Sequence, residues 1–69
     1  MSRRAYAVAV TRHLTSKGLH LEAHPFAGGL AWSLAGWNLT RAEAAAHAAT
    51  QGLDLDRLLW ELDLTLGVA

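Results

Sequence analysis

The sequence contains no cysteine, so it can form neither a disulfide bridge nor a thiolate metal site. It has a single proline, and no apolar stretch approaches the roughly 20 residues that a membrane span requires. The apolar run at 5–10 follows two arginines, as in a secretory signal, but it stops at Thr11 and is too short for one. We therefore expect a cytoplasmic protein without a membrane anchor.

The length of 69 residues predicts one domain, 1–69. A chain of this size buries only about 60% of its unfolded surface, and small domains usually need a disulfide, a metal or a partner chain for stability. With 52% apolar residues, three tryptophans and no cysteine, self-association is the stabilising device that we expect. Isoleucine is absent and alanine, leucine and arginine are frequent, which is typical of coding in a GC-rich genome and indicates a bacterial, phage or plasmid origin.

The formal net charge is zero, so the chain does not have the basic excess of a typical nucleic-acid-binding protein. The two signs are nevertheless separated along the chain. The cations of the first quarter are Arg3, Arg4, Arg12 and Lys17, whereas the last part is dominated by Glu43, Asp54, Asp56, Glu61 and Asp63. These segments are either two solvated faces or a basic and an acidic element that pair within one molecule or head to tail.

A hairpin is predicted between residues 19 and 34. Leu19–His24 alternates apolar and polar residues, Gly28-Gly29 provides a turn, and Leu30–Leu34 forms the second strand. The expected cross-strand pairs are Leu21 with Trp32 and Leu19 with Leu34. This register buries one face and leaves polar residues, including His20 and Glu22, on the other.

Helices are predicted on both sides of this hairpin. Residues 3–16 have apolar positions at helical spacing, and Gly18 follows as a C-terminal cap. Thr40 and Glu43 form a capping box for a second helix that ends at Gly52, and Asp54 caps a third helix through about Leu64. The fold class is therefore α+β, in the order α-β-β-α-α, with helices covering one face of an antiparallel hairpin. Because 62–68 also alternates with period two, a third strand there is the alternative.

The polar strand face offers little catalytic chemistry. His20, Glu22 and His24 are two residues apart, about 6.8 Å, so they need ligands from other elements to hold a metal. Ser33 is expected opposite His20, but no strained turn or oxyanion donor accompanies it. We therefore predict no enzyme activity, no catalytic residue, no metal and no cofactor.

The residues that we predict to contact another chain are Trp37, Trp60 and Leu64, because aromatic side chains are enriched at the centres of interfaces. The hypothesis is a small non-enzymatic protein-interaction or regulatory module. It acts as a homo-oligomer, most simply a homodimer, through an apolar and aromatic surface, with edge-to-edge pairing of the sheet as one route, and it binds another protein.

The alternative hypothesis is a dimeric DNA-binding regulator. In one version the basic N-terminal helix grips phosphates through Arg3, Arg4, Arg12 and Lys17 without reading sequence. In the other, residues 40–62 form a helix-turn-helix, although its second helix is acidic and would be repelled by phosphates.

Overall fold

The computed structural model describes residues 1–68, which form helices on one side of a three-stranded antiparallel sheet. The α+β class is confirmed, and the order contains one strand more than the sequence predicted. The elements are α1 (Arg3–Ser16), β1 (Glu22–Phe26), β2 (Gly29–Leu34), β3 (Trp37–Leu39), α2 (Arg41–Thr50) and α3 (Leu55–Leu66).

Local capping chemistry sets where the helices begin and end. Both halves of the Thr40–Glu43 capping box are formed, and the Asp54 side chain accepts a hydrogen bond from the backbone N–H of Arg57. The helix α3 continues to Leu66 and ends at Gly67, whose φ of 75° lies in the left-handed region that glycine tolerates. The alternative of a third strand at 62–68 is therefore wrong, because the leucine stripe of this segment is buried at helical rather than strand spacing.

The hairpin has a different register from the predicted one. Ala23, not Leu21, is opposite Trp32, and Phe26 is opposite Gly29, so the connecting residues are Ala27 and Gly28. A shift of two residues leaves every side chain on its predicted face, because the side-chain period of a strand is two. The buried face was thus predicted correctly and the pairing was wrong. The strand also begins later than predicted, although Leu19 and Leu21 are both buried.

The additional strand β3 pairs with β2 through a second tight turn. Leu34 is opposite Trp37, and the two residues between them, Ala35 and Gly36, have φ values of 49° and 85°. Positive φ at both central positions is typical of a type I′ hairpin turn. The turn is why a strand of only three residues forms here.

The core lies between the sheet and the three helices. Its sheet side is formed by Ala23 and Trp32, while Glu22, His24 and Phe26 on the opposite face of β1 are exposed. Within residues 1–68 no helix is both long and apolar enough to cross a membrane. The buried side chains of the core are Val10, Leu14, Leu19, Leu21, Ala23, Trp32, Ala44, Ala48, Leu55, Leu58, Leu59 and Leu62.

The β1 edge of the sheet is closed by α1. The Thr11 hydroxyl accepts a hydrogen bond from the Ala23 N–H at 2.9 Å and donates one to the Ala7 carbonyl at 3.0 Å. Pro25, two residues after Ala23 on β1, has no backbone N–H and cannot donate a hydrogen bond. Pairing of two sheets along β1 would therefore lack backbone donors.

Candidate functional site

A groove opens between β2 and α3, with a volume of about 440 Å³. Its apolar and aromatic lining comes from one strand and two helices. Leu30 and Trp32 lie on β2, Leu59 and Trp60 on α3, and Tyr6 on α1. We call this feature the aromatic groove. Its charged lining residues are Arg41, Asp56 and Asp63.

Arg41, the first residue of α2, organises one wall of the aromatic groove. Its guanidinium donates a hydrogen bond to the Asp56 carboxylate of α3. The central carbon of this guanidinium lies 5.8 Å from the centroid of the Trp32 ring, within the range of a cation–π contact. Arg41 thus links α2, α3 and β2 at this wall, through a pair that is largely exposed to solvent.

Tyr6 and Asp63 form the other wall. The Tyr6 hydroxyl donates a hydrogen bond of 2.6 Å to Asp63 Oδ1, which ties α1 to α3. Burial, the hydrogen bond to Asp63 and the negative charge of Asp63 together raise the pKa of the Tyr6 phenol from 10.0 to about 12, against a smaller lowering by Arg41. The neutral phenol is thus the form that the folded state prefers.

Titration of Tyr6 tests this wall, because Tyr6 is the only tyrosine. We expect the absorbance of tyrosinate to rise with a midpoint near pH 12 rather than near 10.0, the ordinary pKa. Since the folded-state pKa is raised, the stability contributed by Tyr6 is complete below pH 10 and is lost as the pH rises towards 12. Replacing Tyr6 with phenylalanine removes this absorbance step and costs about 1 kcal/mol of unfolding free energy. A midpoint at the ordinary value would contradict the Tyr6–Asp63 contact.

Two of the three predicted partner-binding residues lie together. Trp60 and Leu64 are 58% and 52% exposed and are four residues apart on α3, so they are neighbours on one face, and Trp60 also lines the aromatic groove. Trp37 is 77% exposed but pairs with Leu34, at the end of β2 opposite the groove. Trp37 is not one of the groove-lining residues in the described part of the chain.

The four predicted nucleic-acid-binding cations do not form one patch. Arg3 donates a hydrogen bond to the Ala27 carbonyl at the β1–β2 turn, and Lys17 follows the last residue of α1, about 21 Å along the helix from Arg3. Arg4 and Arg12 are exposed between these ends. Within residues 1–68 none of the four forms a salt bridge with a carboxylate.

The serine and histidines of the open sheet face are arranged differently from the prediction. Ser33 is opposite Glu22, not His20, and is buried, with its Oγ 2.9 Å from His24 Nε2. The same Nε2 is 3.7 Å from Glu22 Oε2. In a Ser-His-acid triad the two ring nitrogens contact different partners, so these three groups form a polar network rather than a triad. No group of three or more potential metal ligands is found among residues 1–68.

Neither the family models, nor the curated proteins, nor the solved structures contain a match to this chain. The function is therefore inferred from the exposure, charges and contacts of the residues described above. Sequence reasoning identified Trp60 and Leu64 but missed the groove beside them. Tyr6 and Asp63 are 57 positions apart, and no spacing in the sequence indicates that they meet.

Proposed function

We propose that this protein is a small non-enzymatic interaction module that forms a homodimer through one surface of α3. This surface, the α3 contact surface, consists of Trp60, Leu64 and the adjoining rim of the aromatic groove. The observation that carries the proposal is the exposure of Trp60, 58%, beside a groove whose walls are linked by internal contacts. We place the module in the cytoplasm of a bacterium, or in a phage or plasmid system, as a regulatory protein.

The energetics favour a partner at this position. Trp60 exposes on the order of 100 Å² of mostly apolar surface, and burying that area contributes about 2.5 kcal/mol to association. The carboxylates that line the groove with it, Asp56 and Asp63, already have partners in Arg41 and Tyr6. Binding of a partner chain therefore costs little free energy for ordering the groove and leaves few polar groups without a hydrogen bond.

Replacing Trp60 with alanine tests the proposal. Because large aromatic side chains dominate interface energetics, we expect the dimer dissociation constant to rise at least tenfold, as measured by sedimentation velocity over a series of protein concentrations. Trp37→Ala removes an exposed indole from β3, beside the end of β2 that is opposite the groove. This variant should leave the dimer dissociation constant within about threefold of wild type. If Trp37→Ala weakens the dimer and Trp60→Ala does not, the contact surface lies at β3 instead. A wild-type chain that stays monomeric at every concentration would refute self-association.

The second candidate function is DNA binding by α1, favoured by the lack of salt-bridge partners within residues 1–68 for its three arginines and for Lys17, which follows it. Binding of this kind would weaken steeply with salt and would lose affinity for all sequences alike in Arg4→Ala combined with Arg12→Ala. Unchanged mobility of duplex DNA at low salt would exclude it. The helix-turn-helix version is less favourable, because α3 would bring Asp56 and Asp63 towards phosphates.

A further inference from the structure

The charges of this electroneutral chain are divided between two adjacent helices. Residues 1–21 carry four cations and no carboxylate, whereas residues 41–68 carry five carboxylates and two arginines. On α1 the exposed residues Arg4, Val8 and Arg12 are spaced four apart, so they follow one side of the helix. We call this line the α1 ridge. Val8, at its centre, is an exposed apolar residue between two cations.

Both helices carry charges that oppose their own dipoles. The first turn of α1 contains Arg3 and Arg4 and no acidic residue. The second half of α3 contains Glu61 and Asp63, and its last turn has no basic residue. Carboxylates favour a helix N-terminus and cations a C-terminus, so these charges are unfavourable, although Asp56 in the first turn of α3 and His13 in the last turn of α1 are at the favourable ends.

The two charged helices do not neutralise each other within the molecule. Among residues 1–68 the carboxylates of α3 that form ion pairs do so with Arg41 and Arg57, both in the acidic half of the chain. No cation of the α1 ridge is within 4.0 Å of a carboxylate in that range. The cations of the α1 ridge are thus unpaired within these residues, whereas Asp56, Glu61 and Asp63 have partners in Arg41, Arg57 and Tyr6, and residues 41–68 keep an excess of five carboxylates over two arginines.

Building on the proposed function, we propose that the occupant of the α3 contact surface is the α1 ridge of a second copy. Val8 packs against Trp60 and Leu64 of the partner subunit, and Arg4 and Arg12 lie beside the carboxylates that flank them. A second copy is the occupant because one neutral chain carries both halves of the complementary pair.

A twofold axis satisfies both contacts at once. The helices α1 and α3 lie next to each other on the same side of the sheet and are joined by the Tyr6–Asp63 hydrogen bond. In a twofold-symmetric dimer, contact of one protomer's α1 ridge with the α3 of its partner implies the reciprocal contact. The interface is closed, as in most homodimers, and its two halves are identical.

Charge reversal on each side tests the pairing. One variant combines Arg4→Glu with Arg12→Glu, and the other combines Asp56→Lys with Glu61→Lys, which lie on either flank of Trp60. We expect each variant alone to dissociate at least tenfold more readily than wild type, and an equimolar mixture of the two to restore a dimer by sedimentation velocity. Far-ultraviolet circular dichroism establishes that each variant is folded. Glu22→Lys, a reversal on the opposite face of the sheet, is the matched control and should leave the dimer unchanged.

The outcomes separate this inference from the proposed function. If Trp60→Ala weakens the dimer but reversal of the α1 ridge does not, the inference is overturned and the proposed function stands. A mixture that fails to restore the dimer also overturns the inference. Binding of duplex DNA by the α1 ridge of a monomeric protein overturns it as well. The wild-type protein provides a test that needs no variant: the dissociation constant should rise several-fold between low and high salt, and a salt-independent constant contradicts the charged contact.

Discussion

Replacing Trp32 with alanine is expected to unfold a large fraction of the protein at room temperature. Trp32 lies on the central strand and is only 3% exposed, in a core shared by the sheet and all three helices. Truncating a buried tryptophan to alanine costs about 3–5 kcal/mol. A domain of this length has a total unfolding free energy of about 3–10 kcal/mol, so this one side chain accounts for a large share of it.

The matched control is Trp37→Ala. Trp37 is on the neighbouring strand and is 77% exposed, so its removal should change the unfolding free energy by about 0.5 kcal/mol or less. The measurement is urea denaturation followed by far-ultraviolet circular dichroism at a fixed protein concentration, because a dimer would make the midpoint concentration-dependent. Equal losses in the two variants would contradict the burial of Trp32 in the core.

Replacing Thr11 with valine is expected to cost about 1–3 kcal/mol, the second largest effect, because it leaves the Ala23 N–H without its hydrogen-bond acceptor. Valine has nearly the shape of threonine, so the change removes the hydroxyl and little packing. It also frees a backbone donor on the β1 edge of the sheet, where only Pro25 then limits pairing with another strand.

Thr15→Val distinguishes this role from the general effect of valine in a helix. The Thr15 hydroxyl is exposed and donates to the Thr11 carbonyl at 2.9 Å, so water can replace it. Hydrogen exchange provides the site-specific measurement: the Ala23 amide should exchange much faster in Thr11→Val than in Thr15→Val or wild type. If both variants lose the same stability and protect Ala23 equally, Thr11 does not close the edge.

The sequence predicted the helices well because their limits depend on near neighbours. Thr40 with Glu43, and Asp54 with the backbone of Arg57, are contacts between residues three apart. The bounds of α1 and the start of α3 follow from such chemistry, and the buried sheet face follows from alternation. These features need no information from distant parts of the chain.

The strand pairing was less accessible from the sequence. The predicted first strand ended at His24, whereas β1 continues through Pro25 to Phe26 and the turn is Ala27-Gly28, so the predicted register was displaced by two. The strand β3 was missed because its turn is Ala35-Gly36 rather than Asn-Gly or Asp-Gly, and because three residues are too few for alternation to be recognised. In both cases the turn residues are not the dipeptides that mark a hairpin most strongly, so the local pattern did not specify the pairing.

The sequence by itself determined the starts of the helices, the buried faces, the separation of basic from acidic residues and the choice of Trp60 and Leu64 as candidate contact residues. Only the tertiary structure decided that Tyr6 meets Asp63, that Arg41 lies over Trp32 beside Asp56, and that Trp37 is outside the groove that Trp60 lines. The physical reason is the range of the interactions. Caps and periodicity act over a few residues, whereas a groove forms where segments distant in the chain are brought together by burial of a common core.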